Sequence, residues 1–221
     1  MKKSGQKNSY HHGNLKESLI QTALEMVKTH GVEGITLREI GSRLGTSRSA
    51  IYRHFENKEA LMKQVLLAGF DKLDEALEST FYNEELELLD RFYSMGLIYI
   101  HFARENPHLY RLLFGMSMST QREEVCEDER PELRKLMHGD SSEETIQNNE
   151  ENGFHKLVSI IIQAQTEGLF KKGDPVLFAT AIWSLLHGLA SLAIDGHLSV
   201  MQNIDAMYET SYKILLEGMA C

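Results

Sequence analysis

Two short helical patterns joined by a glycine constrain the fold of this chain more than any other feature. In the segment 37–55, the first pattern ends at Gly45 and the second begins after Ser47. Thr36, with Glu39 three residues later, forms a capping box ahead of the first helix, and a glycine favours the left-handed turn that ends it. The segment therefore predicts a helix-turn-helix.

The second helix of this motif is expected to expose hydrogen-bond donors and no carboxylate. No Asp or Glu lies between Gly45 and Phe55. The side chains left exposed there are of the types that contact phosphates and base edges: Ser47, Arg48, Ser49, Tyr52, Arg53 and His54. The alternative is a helical hairpin that only packs against the rest of the chain.

Charge is divided unevenly along the chain. The 221 residues carry 23 Lys and Arg against 32 Asp and Glu, a net charge of −9 that argues against a polyanionic partner. Residues 1–64, however, have 11 basic and 6 acidic residues, net +5, while residues 65–221 have 12 and 26, net −14. A basic unit joined to an acidic body indicates a polyanion partner for that unit. The alternative is an incidental excess of lysines on a solvated face.

Apolar residues at helical spacing recur along the whole chain, which predicts an all-α fold. A first helix is expected after Asn14, and further helices over residues 84–105, 153–170, 175–194 and 199–217 and after Pro107. We found no run with the two-residue period of a strand. Residues 117–151 break the pattern, and residues 121–151 hold 11 acidic and 4 basic residues. This composition predicts a mobile acidic loop.

Residues 14–74 resemble the DNA-binding domain of the TetR family of bacterial transcriptional regulators. The matching runs are GITLREI at residues 34–40, GTS at 45–47 and, most specifically, IYRHFENKEAL at 51–61. The resemblance implies a three-helix DNA-binding domain with the helix-turn-helix over residues 14–74, after a flexible basic arm over residues 1–13. A larger helical domain for ligand binding and dimerisation would then cover residues 75–221.

The resemblance also implies two sets of DNA-facing positions. The set that matches phosphate-contacting positions consists of Thr36, Tyr52, His54 and Lys58. The set that matches positions facing the major groove or its rim consists of Thr46, Ser47, Arg48, Ser49 and Arg53. The implied partner is a double-stranded DNA operator.

The C-terminal half resembles one TetR subgroup in its Trp183, His187 and Gly188 and in the run 107–115. The resemblance implies that the last two helices pair with those of a second subunit in a four-helix bundle, giving a homodimer. The apolar side of the last helix would consist of Val200, Ile204, Met207, Ile214 and Leu215. The alternative is that this stripe packs only within its own chain. An apolar helix face shows that it is buried but not which surface covers it.

Aromatic and methionine side chains are plentiful between residues 81 and 118. Most are expected to pack in the core, but some could line a cavity for a small apolar effector, because methionine adapts to irregular shapes. The candidate ligand-binding residues are Met95, Tyr99, Phe102, Tyr110, Phe114, Phe154 and Trp183.

Several other classes of function are disfavoured. No histidine pair has the close spacing of a zinc site, and we found no nucleophile elbow, phosphate-binding glycine loop or paired-carboxylate motif. We therefore expect no metal, no cofactor and no enzyme activity. The uncharged run 175–194 is long enough to span a bilayer, but its polar and small residues favour a buried helix. No export signal follows the basic N-terminus, which predicts a cytoplasmic protein.

The combined features predict a DNA-binding transcriptional regulator, a repressor that a small-molecule effector releases from its operator. The alternative from another class is a helical enzyme or ligand carrier with a structural N-terminal helix hairpin. A second alternative keeps DNA binding but makes the protein an activator or an effector-independent regulator.

Overall fold

The structure, a computed structural model, describes residues 15–115, 153–198 and 203–221, and these residues confirm the all-α prediction. Our predictions for the basic arm over 1–13, the cap at Asn14, the acidic segment 117–151 and Val200 lie outside them. We number the described helices in chain order as α1 Leu15–His30, α2 Leu37–Leu44, α3 Arg48–Ile51, α4 Lys58–Phe81, α5 Leu88–Glu105, α6 Pro107–Phe114, α7 Gly153–Thr166, α8 Pro175–Ile194 and α9 Ile204–Met219.

Glycines in the left-handed conformation end the first two helices, and the second helix begins and ends at the predicted residues. Gly31 has φ +73° and its N–H donates to the carbonyl of Val27 at 2.8 Å, which ends α1. The N–H of Glu39 donates to the hydroxyl of Thr36 at 3.2 Å, so Thr36 caps α2. Gly45 has φ +62°, a left-handed conformation that glycine adopts without steric cost. These are local effects, which explains why the sequence predicts them.

The third helix is shorter than the predicted span from Arg48 to Phe55. Ser47 caps α3 by accepting from the N–H of Ala50 at 3.3 Å, and the helix ends at Ile51. A turn follows, in which the N–H of His54 donates to the carbonyl of Ile51 at 2.9 Å. Phe55 is buried at the end of this turn, where it anchors the motif to the core.

Gly41 sets the close approach of α2 and α3. A Cβ atom added at this position would lie 2.7 Å from Cδ1 of Ile51, inside van der Waals contact. Ile40 and Ile51 are fully buried on either side of this contact. The predicted small core of the helix-turn-helix is therefore present, and Ile51 must shift if a larger residue replaces Gly41.

One apolar core continues from the N-terminal helices into the body. Helix α4 runs without a break through residue 74 and packs against α1, α5 and α6. Helix α8 packs against α5, α7 and α9. Helix α6 contacts α1, α4 and α5, so it lies between the helix-turn-helix end and the body.

Two helices of the body begin later than predicted, in each case after an asparagine. Asn83 accepts from the N–H of Glu85 at 3.0 Å in a turn, and α5 begins only at Leu88. Asn203 accepts from the N–H of Ala206 at 3.1 Å and caps α9, which begins at Ile204. Short side chains that bond to nearby backbone favour turns and caps over helix interiors, which explains both shifts.

By length and composition alone, α8 could cross a membrane. It is the one helix among the described residues for which this is true. Asp174 caps it by accepting from the N–H of Val176 at 2.8 Å. Its inner side buries Ile182 and Leu186, while Leu177 stays 67% exposed on its outer side. The helix therefore covers the body on one side and leaves an apolar side unpartnered within the chain.

Candidate functional site

A surface groove lies between the N-terminus of α2, the start of α3 and the start of α4. We call it the α2–α4 groove. Its lining consists of Glu33, Ile35, Thr36, Leu37, Arg38, Gly41, Ser42, Thr46, Arg48, Ile51, Tyr52, Glu56, Asn57 and Lys58. Five of the nine predicted DNA-facing residues therefore meet at one place, namely Thr36, Thr46, Arg48, Tyr52 and Lys58.

Arg48 and Tyr52 form the exposed wall of the groove. The guanidinium carbon of Arg48 lies 5.3 Å from the centre of the Tyr52 ring, in a cation–π contact. A terminal nitrogen of Arg48 also donates to the Tyr52 hydroxyl at 3.4 Å. Tyr52 is 43% exposed, so both polar ends remain accessible to a partner.

Lys58, in the first turn of α4, also lines the groove. Its ammonium donates to the carbonyl of Val32 at 3.3 Å, which restrains the side chain. Asn57 caps this helix by accepting from the N–H of Ala60 at 2.8 Å. The cap fixes where α4 begins and thus the position of Lys58 relative to Thr36.

The other four predicted residues lie outside the groove lining but on the exposed surface of the motif. They are Ser47, Ser49, Arg53 and His54. The hydroxyls of Ser47 and Ser49 lie 3.0 Å apart. Arg38, an exposed cation that lines the groove, was not among the predicted residues. Its place in the first turn of α2, two residues after the Thr36 cap, is the signal that could have found it.

The second candidate site is a group of rings in the body, which we call the aromatic cluster. Its ring centres lie 4.9–6.2 Å from their neighbours, mostly edge to face or tilted. It comprises Tyr99 of α5, Tyr110 and Phe114 of α6, Phe154 of α7, and Trp183 and His187 of α8. Four helices thus converge on these six side chains.

Hydrogen bonds connect the polar atoms of the aromatic cluster. Nε1 of Trp183 donates to the Tyr99 hydroxyl at 3.3 Å, and the Tyr99 and Tyr110 hydroxyls lie 3.0 Å apart. The Tyr110 hydroxyl lies 2.6 Å from Nδ1 of His187. The Tyr99 hydroxyl also lies 3.3 Å from the same nitrogen. Trp183 can only donate, so Tyr99 accepts from it.

Burial keeps both tyrosines of this network protonated. It raises the pKa of Tyr99 to about 12, against the ordinary value of 10.0. Burial, with the nearby Tyr99, also raises the pKa of Tyr110. The two hydroxyls therefore stay neutral donors at physiological pH.

Five of the seven predicted ligand-binding residues belong to the aromatic cluster. The other two, Met95 and Phe102, are buried on α5, and no ring contact or hydrogen bond of the described residues joins them to it. His187 was not predicted as ligand-binding, although the Trp183, His187 and Gly188 pattern was noted. Its position four residues after Trp183, on the same helix face, is the signal that could have placed it there.

Helix α6 joins the aromatic cluster to the N-terminal helices. Tyr110 and Phe114 point into the cluster, while Leu109 and Leu113 pack against Gly69 of α4. A Cβ atom added at Gly69 would lie 2.9 Å from Cδ2 of Leu113 and 3.0 Å from Cδ1 of Leu109. At its N-terminal end, α6 brings Nδ1 of His108 within 3.3 Å of a Cβ atom added at Gly31.

Within the described ranges, no group of three or more His, Cys, Asp or Glu side chains is placed to hold a metal ion. His101 lies 2.7 Å from a carboxylate oxygen of Asp205, in a pair that joins α5 to α9. The same two helices are also joined by the Tyr208 hydroxyl, which donates to the carbonyl of Tyr93 at 2.8 Å.

Two family patterns match the chain. The pattern described as "Bacterial regulatory proteins, tetR family" matches residues 19–65. The pattern described as "Tetracyclin repressor-like, C-terminal domain" matches residues 92–215, which is more than half of the chain. The first match covers the α2–α4 groove, and the second covers the aromatic cluster.

Individual relatives match parts of the chain. The nucleoid occlusion factor SlmA of Vibrio cholerae is 28% identical over 116 residues, covering 51% of this chain and 57% of that protein. The class C tetracycline repressor protein of Escherichia coli is 47% identical over 47 residues, 21% of this chain and 22% of the repressor. The chain thus spans between a fifth and three fifths of these relatives.

A solved structure from Rhodococcus sp. RHA1, described as a protein with unknown function, matches almost the whole fold. It superposes with a TM-score of 0.73 and 25% identity, covering 97% of this chain and all of that one. Since the two family patterns match both the N-terminal helices and the body, this chain belongs to the TetR family of bacterial regulatory proteins.

Proposed function

We propose that this protein is a transcriptional repressor that binds a DNA operator as a homodimer and leaves it when a small apolar effector binds the body. The observation that carries the DNA-binding part is the α2–α4 groove. There, cations from three helices and the exposed Arg48–Tyr52 pair surround a capped helix N-terminus. Cations, hydroxyls and backbone N–H groups are the donors that bind the phosphate oxygens of DNA.

Each predicted DNA-facing residue has a role in this proposal. Thr36, Tyr52, His54 and Lys58 would hold phosphates and fix the register on the duplex. Thr46, Ser47, Arg48, Ser49 and Arg53 would reach into or along the major groove, where arginine can read guanine. Arg38 joins the phosphate-contacting group because it lines the same groove. Two carboxylates, Glu33 and Glu56, also line it and would limit how deeply a phosphate enters.

Dimerisation would use the outer sides of α8 and α9. Leu177 and Leu192 on α8 are 67% and 43% exposed, and Ile214 on α9 is 64% exposed. Exposed large apolar side chains on two packed neighbouring helices support an interface between copies of the chain. A dimer would place two recognition helices in successive major grooves, about 34 Å apart.

The effector would act through α6. A ligand in the aromatic cluster displaces Tyr110 or Phe114, and Leu109 and Leu113 on the other side of α6 then press on α4 at Gly69. The close fit at Gly69 supports this path, because packed contacts shift rather than compress. The effector needs only to prefer the conformation that does not bind DNA.

We also propose a division at about residue 74 between the DNA-binding domain, residues 14–74, and the regulatory domain, residues 75–221. The protein would act in the cytoplasm, where DNA is available, without enzyme activity of its own. The alternative, a helical enzyme or ligand carrier, predicts that the α2–α4 groove has no affinity for DNA.

A binding titration separates these alternatives. The probe is a fluorescent duplex from the region upstream of the protein's own gene, and the control is a duplex with the same bases in scrambled order. We expect tighter binding to the first duplex and an affinity that falls steeply as salt rises. Equal, salt-independent affinity for both duplexes contradicts the proposal.

A further inference from the structure

We propose that Arg48 reads a guanine in each half of the operator and that Tyr52 positions Arg48 for this contact. The inference rests on the proposed function, because it assumes that the α2–α4 groove faces DNA. It goes beyond that function by separating one base-reading side chain from the other exposed donors of the motif. The observation that carries it is the contact between Arg48 and Tyr52 at the start of α3.

Two exposed arginines occupy different places relative to α3. Arg48 is the first residue of the helix, whereas the helix ends at Ile51 and Arg53 lies in the turn beyond it. In a helix-turn-helix, the N-terminal residues of the second helix contact the base edges. Arg48 therefore faces the bases, and Arg53 is left to contact phosphates.

The other side chains at the start of α3 are short and already engaged within the motif. The Ser47 hydroxyl accepts from the N–H of Ala50 at 3.3 Å and lies 3.0 Å from the Ser49 hydroxyl. Ala50 is 6% exposed and belongs to the core. A serine hydroxyl can pair with several base edges, whereas arginine donates two parallel bonds to O6 and N7 of guanine. Arg48 is thus the side chain of α3 with the strongest base preference.

Tyr52 restrains the guanidinium group of Arg48. The guanidinium carbon lies 5.3 Å from the centre of the ring, and a terminal nitrogen donates to the hydroxyl at 3.4 Å. Arg53, by contrast, makes no hydrogen bond or ion pair with any residue that the structure describes. A restrained side chain loses less conformational entropy when it binds, so Tyr52 favours base contact through Arg48.

The hydroxyl and the ring of Tyr52 have separable roles. The hydroxyl accepts from Arg48, so its own proton is available to a phosphate oxygen. The ring lies against the guanidinium group and holds it by a cation–π contact. Removal of the hydroxyl should therefore weaken phosphate binding, whereas removal of the ring should also release Arg48.

A scan with 7-deazaguanine tests the guanine contact. This analogue replaces N7, one of the two acceptors that arginine uses, with a C–H group, and it is placed at one guanine of the upstream duplex at a time. Fluorescence anisotropy with the full-length protein gives the penalty, which is the Kd of the substituted duplex divided by that of the unsubstituted one. We expect a penalty of about tenfold at one guanine of each half-site. No penalty at any guanine overturns the proposal.

Three variants test whether the penalty depends on Arg48 and Tyr52. Arg48→Ala should bind more weakly and lose the penalty, because N7 then has no donor. Tyr52→Ala should lower the penalty to about threefold, since the ring no longer restrains Arg48. Tyr52→Phe keeps the ring, so it should weaken binding to all duplexes equally and keep the full penalty. A penalty that survives in Arg48→Ala or is undiminished in Tyr52→Ala overturns the proposal, as does its loss in Tyr52→Phe.

Arg53→Ala is the matched control, because it removes an exposed guanidinium group from the same motif. It should weaken binding to every duplex by the same factor and keep the penalty at the same guanine. Loss of the penalty in Arg53→Ala would make Arg53 the base-reading residue and overturn the proposal.

The wild-type protein separates this proposal from the proposed function. Equal affinity for the upstream and scrambled duplexes contradicts the proposed function. Preference for the upstream duplex without a penalty that depends on Arg48 contradicts only the assignment of the base-reading residue.

Discussion

The guanidinium group of Arg48 lies over the ring of Tyr52, with its carbon 5.3 Å from the ring centre. Both side chains are exposed, so this contact contributes at most about 1 kcal/mol and can rearrange at low cost when a partner arrives. The pair holds one cation and one hydroxyl on the same wall of the α2–α4 groove. We interpret it as a pre-formed element of the DNA-binding surface.

Removing either side chain should weaken DNA binding without unfolding the protein. We expect Arg48→Ala and Tyr52→Ala to cost about 1–3 kcal/mol of binding free energy for the upstream duplex. The free energy of unfolding should change by less than about 0.5 kcal/mol, because both residues are exposed. Fluorescence anisotropy measures the first quantity and urea denaturation the second.

Lys172→Ala is the matched control for these variants. Lys172 is an exposed cation in the connection between α7 and α8, outside the α2–α4 groove. Its loss should leave the affinity unchanged. A similar loss of affinity in Lys172→Ala and Arg48→Ala would indicate a diffuse charge effect and contradict the assigned surface.

The close packing of α2 against α3 should depend on the absence of a Cβ atom at Gly41. Gly41→Ala places a methyl group 2.7 Å from Cδ1 of the buried Ile51, so one of the two must move. We expect a loss of about 1–3 kcal/mol in the free energy of unfolding by urea, together with weaker DNA binding.

Gly34→Ala serves as the control, because a Cβ atom there meets nothing within 4 Å. Its stability should stay within about 0.5 kcal/mol of the wild type. If Gly41→Ala were as stable as Gly34→Ala, the contact with Ile51 would not limit the size of the residue at position 41.

The oligomeric state should depend on the exposed side of α9. Ile214→Glu adds a charge at a site that is 64% exposed in the single chain, so the chain itself should still fold. At a dimer interface, the same charge would be buried without a partner. We expect analytical ultracentrifugation to show a folded monomer with reduced affinity for the duplex.

Tyr82→Glu is the corresponding control, since Tyr82 is 52% exposed at the C-terminal end of α4 and belongs to neither α8 nor α9. This variant should remain a dimer. A dimer of undiminished stability in Ile214→Glu would place the interface elsewhere.

Buried tyrosines should make the stability sensitive to alkaline pH. Burial raises the pKa of Tyr99 and Tyr212 to about 12 and also raises the pKa of Tyr110 and Tyr208. An unfolded tyrosine ionises near pH 10, so below that pH both states are protonated and the full stability is present. As pH rises from about 10 through 12, the unfolded state loses protons first, and the stability falls.

Urea denaturation across this pH interval measures the effect. The decline should be shallower in Tyr99→Phe than in the wild type, because that variant has one fewer buried hydroxyl to ionise. Equal slopes in both proteins would mean that the ionisation of Tyr99 does not contribute to the loss of stability at alkaline pH.

The sequence predicts the N-terminal helices better than the aromatic cluster because their determinants are local. Thr36, Ser47 and Asn57 cap helices through backbone groups three residues away, and Gly45 ends α2 by its own conformation. By contrast, Tyr110 and His187 meet across 77 residues of sequence. No spacing rule relates such positions, so their hydrogen bond becomes visible only in the fold.

The helix bounds show the same limit on a smaller scale. Apolar spacing predicted helix from residue 84, but the carboxamide of Asn83 bonds to the N–H of Glu85 and delays α5 to Leu88. The periodic pattern of apolar residues indicates which face of a helix is buried. It does not indicate whether a single side-chain hydrogen bond will favour a turn over the first turn of that helix.

The most direct test of the central claim is a hydroxyl-radical footprint of the full-length protein on the upstream duplex. The account predicts two protected stretches on one face of the DNA, one helical turn or about 34 Å apart. The same footprint should weaken clearly in Arg48→Ala at a protein concentration that only just protects the site with the wild type. Uniform cleavage with the wild-type protein, or an unchanged footprint in the variant, would contradict the claim that this helix-turn-helix binds an operator as a dimer.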